Sequence, residues 1–285
     1  MPEYIEIRCS SIPSYGDCPR RSAAKLFRET LVADGFLLNP SRPSAAAAIG
    51  TAIHKGVANL LRAKQATGEF IAAEVASAAS MAMESFLEET KEGVIWDKTT
   101  PHGHTAEAQI RGLLYSFVPI LDSITPTHIE VPLDAIISPL GEQAIPVRVT
   151  GTLDVRDTQG IVHDHKTGTK RPSPQAQLGG YIAVCRLNDI EVKGARVNFA
   201  KREGIKKTNE GLPRPKPIPF DPEECLSAFW STVAEIQRHY EKYLESKDPW
   251  SFPVNPMSML CTAKYCNAHC TNFCTMGGTE EDAEE

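Results

Sequence analysis

"VTGTLDVRDTQGIVHDHKTGTK", Val149 to Lys170, is the stretch on which the fold turns. It is rich in Val, Ile and Thr and is broken by "DTQG", which predicts two short strands joined by a tight connection. Alternate side chains on a strand share a face, so Asp164 and Lys166 point one way and His163 and His165 the other. Asp154 sits near the end of the preceding strand, and a hairpin brings it close to Asp164. Two carboxylates held together are costly unless a cation neutralises them. Mg²⁺ or Mn²⁺ prefers such hard oxygen ligands, and a metal so placed activates water. Lys166 beside it can orient the water or neutralise developing charge. The competing reading is an ordinary hairpin with Asp, Asp and Lys on its wet face.

Working outward, "THIEVPLDAII", "IPVRVTGTLDVRD" and "GIVHDHKT" read as three consecutive strands. "SPQAQLGGYIAVCRLN" follows as a helix despite its two glycines, and "KGARVNFAKR" as a fourth strand. Upstream, "AAAAIGTAIHKGVANLLRAKQATG" carries Ile49, Ile53, Val57, Leu60 and Leu61 at helical spacing, and residues 69–90 and 104–122 read as further helices. A Pro-rich connection, Leu212 to Pro222, leads to a final helix, "PEECLSAFWSTVAEIQRHYEKYLESK". The order predicts an α/β fold with a mixed sheet. The expected organisation is a single domain over 1–285. Residues 1–122 form a mainly helical part, 123–220 the catalytic sheet core, and 221–276 the last helix and a cysteine cluster. Residues 277–285 are an acidic tail expected to be disordered.

Apolar content of 41% and charged content of 23% over 285 residues belong to a globular protein with a real core. No apolar run is long enough to span a membrane, and "MPEYIEIRCSS" has no apolar signal region, so a cytoplasmic location is expected. The formal charge of −6 argues against coating nucleic acid by bulk charge. A local basic run, "AKREGIKKTNEGLPRPKP", nevertheless holds Lys201, Arg202, Lys206, Lys207, Arg214 and Lys216 against Glu203 and Glu210. By itself it reads as a solvated loop.

"GTLD" followed by "VHDHKTG" resembles the core of the PD-(D/E)XK nuclease superfamily, and within it the RecB-like exonucleases, including CRISPR-associated and phage members. "GTAIHKGV" resembles the upstream helix motif of that branch, with His54, and "QLGGY" its Q-x-x-x-Y motif, with Gln177 and Tyr181. The resemblance runs in order over most of the chain. It implies a restriction-endonuclease-like core in αβββαβ order. It also implies a metal centre of Asp154, Asp164, the backbone carbonyl of His165, and His54, with Lys166 assisting. Glu130 on the first strand is where branch members often carry a glutamate near the metal. Gln177 and Tyr181, at i and i+4, share a helix face and are expected to hold DNA or support the centre. His102 and His104 in "PHGH" match no family motif and read as loop.

Eight cysteines are present, four of them in "CTAKYCNAHCTNFC". That density points to metal or cluster binding. Some members of the branch hold a [4Fe–4S] cluster with one early and three late cysteines. The resemblance therefore implies Cys18, Cys261, Cys266 and Cys274 as ligands, with Cys270 the alternative to Cys274. Tetrahedral zinc takes the same ligand type and is the competing metal. Cys9, Cys185 and Cys225 read as ordinary thiols.

The expected activity is a Mg²⁺- or Mn²⁺-dependent deoxyribonuclease on single-stranded DNA ends. Its DNA contacts are expected from Gln177, Tyr181, Lys201, Arg202, Lys206 and Lys207, with Tyr15, Phe27 or Trp250 as stacking platforms. No G-x-x-x-x-G-K-[ST] motif occurs, so unwinding falls to a partner such as a helicase. Two rival readings are a nuclease-fold DNA-binding or accessory subunit in recombination or CRISPR adaptation, and a zinc-binding structural module.

Overall fold

The structure, a computed structural model, describes residues 3–41, 43–171 and 173–276. The acidic tail expected over 277–285 lies outside them.

The sheet is built on β3 (Val147–Asp157). β2 (Pro126–Ile137) runs antiparallel along one edge of it. The other edge is shared by two strands. β1 (Ile5–Arg8) pairs in parallel with Val147 to Thr150, and β4 (Ile161–Gly168) pairs antiparallel at Val155 and Arg156. Between these partners, residues 151–154 of β3 form the crotch of a fork. β4 continues the sheet through β5 (Gly194–Lys201), parallel, and β6 (Lys216–Phe220), antiparallel. The mixed α/β class and the four strands read from the sequence stand. β1 and β6 are additions. β1 lies in the part read as mainly helical, and β6 lies within the connection read as Pro-rich. Pro217 and Pro219 are tolerated because β6 is an edge strand, where half the backbone needs no ladder partner.

Helices cover both faces. α1 (Ile12–Asp17), α2 (Pro19–Leu26) and α3 (Arg28–Ala33) join α7 (Gln175–Leu187) and α9 (Pro222–Ser246) in one core. α4 (Ala45–Thr67), α5 (Ala72–Thr90) and α6 (Gly103–Asp122) make a second core with Val155 and Ala200. α8 (Ile205–Glu210) is a single short helix inside the basic run read as loop. α4 starts at a Ser44 side-chain cap and ends at Gly68 in the left-handed region, so both its ends are satisfied locally.

The two glycines of α7 are a packing requirement. A Cβ at Gly179 would stand 2.0 Å from the Cys225 carbonyl oxygen on α9. The helices therefore meet backbone to backbone, and no other residue fits. Gly151, at the fork, is likewise fixed: its Cβ would stand 2.9 Å from the Tyr181 ring.

Candidate active site

At the fork β3 and β4 no longer exchange backbone hydrogen bonds. Asp154 takes over that role: its Oδ2 accepts from the His165 backbone N–H at 2.8 Å. Its other oxygen, Oδ1, lies 3.1 Å from His54 Nδ1 on α4. Asp154 thus ties the two strands and the helical layer together. Continuing the β3–β4 register by one step places Asp164 opposite Asp154. Asp164 is buried, and its Oδ1 is ion-paired with Lys166 Nζ at 2.9 Å. Its Oδ2 has no hydrogen-bond partner among the described residues. A buried, unpartnered carboxylate oxygen is unfavourable by itself and is well suited to a cation.

Glu130 completes the cluster from β2. Ligand atoms of His54, Glu130 and Asp154 all lie within 4.8 Å of one another. Glu130 has φ 49°, the left-handed region that a residue with a side chain enters at a cost. The strained backbone turns a carboxylate toward another carboxylate. Two costs at one point, strain and like charge, mark a site that a divalent cation would stabilise.

The charges respond to one another. Burial and the nearby Asp154 push the Glu130 carboxyl up. Burial lowers His54, but the charge and hydrogen bond of Asp154 outweigh it and raise the imidazole to about 9. The same pairing, against burial, holds Asp154 below the usual carboxylate range. Burial, with Asp154 adding to it and Lys166 opposing, lifts Asp164 to about 6. Lys166 is raised despite burial because Asp164 and Asp154 face it, so its cation is secure.

His165 and His163 lie away from the carboxylates, as strand alternation requires. The His165 ring meets Phe117 of α6 edge-on at 5.5 Å and sits 3.3 Å from Asn198 Nδ2. Burial lowers it to about 3, so it is neutral. His163 Nε2 pairs with Asp157 at 3.0 Å, at the closed end of the hairpin. Gln177 and Tyr181 are both buried, and Gln177 Nε2 donates to Tyr181 OH at 3.0 Å. Burial, then the charges of Asp154 and Asp164, push the Tyr181 phenol up. Each side chain thus has a partner on its own helix.

The residues expected to contact DNA lie in differing surroundings. Arg202 is buried and holds Asp97 through two nitrogens, at 2.8 and 3.3 Å, and also Thr100. Its charge serves the fold. Lys201, Lys206 and Lys207 are exposed, with Lys201 and Lys207 both turned to Glu203. Tyr15 is buried and bonded to His239, and Phe27 is buried against Tyr240 at 3.9 Å, so neither is a stacking platform. Trp250 is exposed, but Arg20 lies over its ring at 4.6 Å. His102 caps α6 by accepting from Thr105 N–H, so "PHGH" is a helix start rather than loop alone.

A second cluster lies at the other end of the chain. Cys18, Cys261, Cys266 and Cys274 line one small pocket, and Cys270 is exposed outside that lining. Cys9, Cys185 and Cys225 are buried elsewhere, with burial raising each thiol. Arg20, two residues after Cys18, organises this corner. Its Nε donates to Phe252 O at 3.0 Å and one NH to Phe273 O at 3.1 Å, fastening α2 to the C-terminal segment. Sequence reading missed Arg20, and a charge beside an isolated cysteine was its only signal.

A family model described as the PD-(D/E)XK nuclease superfamily matches residues 8–271. Among solved structures, a protein from Eubacterium rectale assigned as an exonuclease aligns with TM-score 0.50 and 11% identity, over 91% of this chain and 87% of that one. At that identity the likeness is one of fold. SSO0001 aligns over 85% of this chain and 84% of its own at 13% identity, but with a TM-score of only 0.34. No curated protein matches the chain.

Proposed function

The chain belongs to the PD-(D/E)XK nuclease superfamily, and from that premise we propose that it is a divalent-metal-dependent deoxyribonuclease of the RecB-like branch, acting as an exonuclease on single-stranded DNA ends. The observation that carries this reading is the cluster at the fork, where Asp154, Asp164, Glu130, His54 and Lys166 converge from three strands and one helix. Asp154, Asp164, Glu130, His54 and the His165 carbonyl are the groups that would hold Mg²⁺ or Mn²⁺, and the nitrogen ligand favours Mn²⁺ somewhat. Such an ion supplies charge to activate water and to neutralise a pentacovalent phosphate. Lys166, kept cationic by Asp164, is placed to counter charge developing on the scissile phosphate. Tyr181 and Gln177 brace the carboxylates from behind. Lys201, Lys206 and Lys207 offer an exposed cationic edge for the DNA backbone.

The thiol pocket supports a [4Fe–4S] cluster on Cys18, Cys261, Cys266 and Cys274. Burial, with the neighbouring thiols Cys261, Cys274 and Cys18 adding to it, raises Cys266 to about 11, a cost that ligation to a cationic cluster would reverse. Among the described residues only His54, Glu130 and Asp154 bring three metal-ligand atoms within 4.8 Å of one another. Tetrahedral zinc on the same thiols is the competing occupant. Iron and acid-labile sulfide in anaerobically purified protein, with zinc absent, is the expected analysis.

The activity test is degradation of end-labelled linear and circular DNA, single- and double-stranded, with Mn²⁺, Mg²⁺ or EDTA, beside Lys166→Ala. Metal-dependent loss of linear single strands, abolished in the variant, is expected. Binding without cleavage in either protein would instead make this chain an accessory subunit.

A further inference from the structure

The face of β4 turned away from Asp164 carries a row of buried polar side chains that the metal centre does not use. Asp157, His163, Asn198 and His165 are all buried. Asp157 opens the row at the closed end of the hairpin. Its Oδ1 accepts from the backbone N–H groups of Gln159 and Ile161, at 2.9 and 2.8 Å, and its Oδ2 lies 3.0 Å from His163 Nε2. Asn198 stands on β5 directly beside His165, its partner in the parallel ladder. Its Nδ2 lies 3.4 Å from His163 Nδ1 and 3.3 Å from His165 Nδ1. One amide nitrogen thus reaches both rings.

The order of donors along the row follows from its first member. A carboxylate only accepts, so the hydrogen between Asp157 and His163 belongs to His163 Nε2. A neutral imidazole with its hydrogen on Nε2 has a lone pair at Nδ1, and that lone pair needs a donor. Asn198 must therefore turn its NH2 toward the ring, which is the amide orientation observed. An NH2 group has two hydrogens, and the second meets His165 Nδ1. His165 is then also an Nε2–H ring. Asn198 Oδ1 has no hydrogen-bond partner among the described residues, so the two imidazoles are all that this side chain holds. The carboxylate at the hairpin tip thus fixes, bond by bond, the tautomer of the ring beside the metal centre.

We infer that Asn198 is a positioning residue of the metal centre: it grips His163 and His165, the two chain neighbours of Asp164, and so keeps the Asp164 carboxylate turned toward Asp154. The inference rests on the nuclease reading above and adds to it the residue that holds the centre against its own repulsion. Without a cation, Asp164 and Asp154 repel each other. Rotation of β4 about its long axis relieves that repulsion. Beyond His163, β4 has no ladder bonds to β3, and its ladder to β5 can yield to twist. A rotation that carries Asp164 away from Asp154 swings His163 and His165 the opposite way, and Asn198 holds both. The same grip steadies the His165 peptide, whose N–H bonds Asp154 Oδ2 at 2.8 Å.

The test pairs imidazole NMR with Mn²⁺ binding on the full chain. In EDTA, the side-chain nitrogen spectra of the wild type are expected to show His163 and His165 both as Nε2–H tautomers. In Asn198→Leu, His163 keeps that form through Asp157, while His165 becomes a mixture. Mn²⁺ affinity, read from the electron paramagnetic resonance of the free ion, falls about tenfold or more in the variant. Gln237→Leu removes an equally buried amide on α9 and is the control for lost stability. It should bind Mn²⁺ within about twofold of the wild type. Asn198→Val is the second variant should Asn198→Leu not fold. An Nδ1–H or doubly protonated His165 in the wild type, or an Mn²⁺ affinity that falls no further in the Asn198 variants than in Gln237→Leu, would overturn the inference alone. A wild type that binds no Mn²⁺ and cleaves no DNA would sink the nuclease reading, and the inference with it, whatever the tautomers.

Discussion

The fork and the cysteine corner solve opposite problems. At the fork, charges are buried on regular structure: β3, β4, β2 and α4 hold Asp154, Asp164, Glu130 and His54 whether or not the charges are content. The corner from Pro249 to Met276 has one short 3-10 turn, and the rest is turns, irregular chain and one isolated bridge, Thr271 to Cys274. It is held by Arg20, by Asn39 and Asn267, and by ring contacts such as Phe252–Phe273, and four thiols line one pocket within it. A sheet can carry a group that opposes folding because its ladder bonds outweigh one unfavourable side chain. An irregular segment has no ladder and depends on side-chain contacts or a cross-link. Function and stability should therefore separate between the two regions.

The sharpest way to break this contrast is Asp164→Asn. Cleavage should fall by about a thousandfold, with the melting temperature little changed. A protein that instead unfolds would show that the carboxylate is structural. Cys266→Ser should do the reverse. Loss of a cross-link in an irregular segment is expected to lower stability by about 2–5 kcal/mol, read as a fall of roughly 5–15 °C in melting temperature. A melting temperature that does not move would mean that nothing is ligated there.

The fork should also report itself through pH. His54 is raised in the folded state to about 9, above its unfolded value near 6.5. Its pairing with Asp154 thus stabilises the metal-free protein fully below about pH 6.5, and the contribution is lost as pH rises through about 9. Urea unfolding in EDTA should show stability declining across that window, by about 1–3 kcal/mol, and His54→Gln should flatten the slope. The smallest effect is a control within the corner. Cys270→Ser should change stability by less than about 0.5 kcal/mol and leave the iron content unaltered, whereas Cys274→Ser should lose iron.

Much of the fork was legible before any coordinates. Short runs rich in Val, Ile and Thr between turn residues located β2, β3, β4 and β5, and the Asp154, Asp164 and Lys166 spacing placed two carboxylates across a hairpin. What escaped reading did so for identifiable reasons. β1 is four residues long and becomes a strand only because β3 offers it half an edge. β6 carries two prolines, which argue against a strand unless one knows it is at the edge. Arg202 and Arg20 look like surface cations because sequence shows charge and not burial. Their partners, Asp97 and Phe252, are more than a hundred residues away.

The amino-acid order alone thus determined the element types, the mixed sheet and the acidic, basic and thiol residue sets, because each depends on local periodicity and spacing. Tertiary structure decided the rest. It split one edge of β3 between β1 and β4 and so opened the fork that Asp154 bridges. It turned Glu130 through a left-handed backbone toward Asp154, and it fastened Asn39 to Asn267 by paired hydrogen bonds. Those features arise where distant segments compete for the same backbone partners, and no local pattern carries that information.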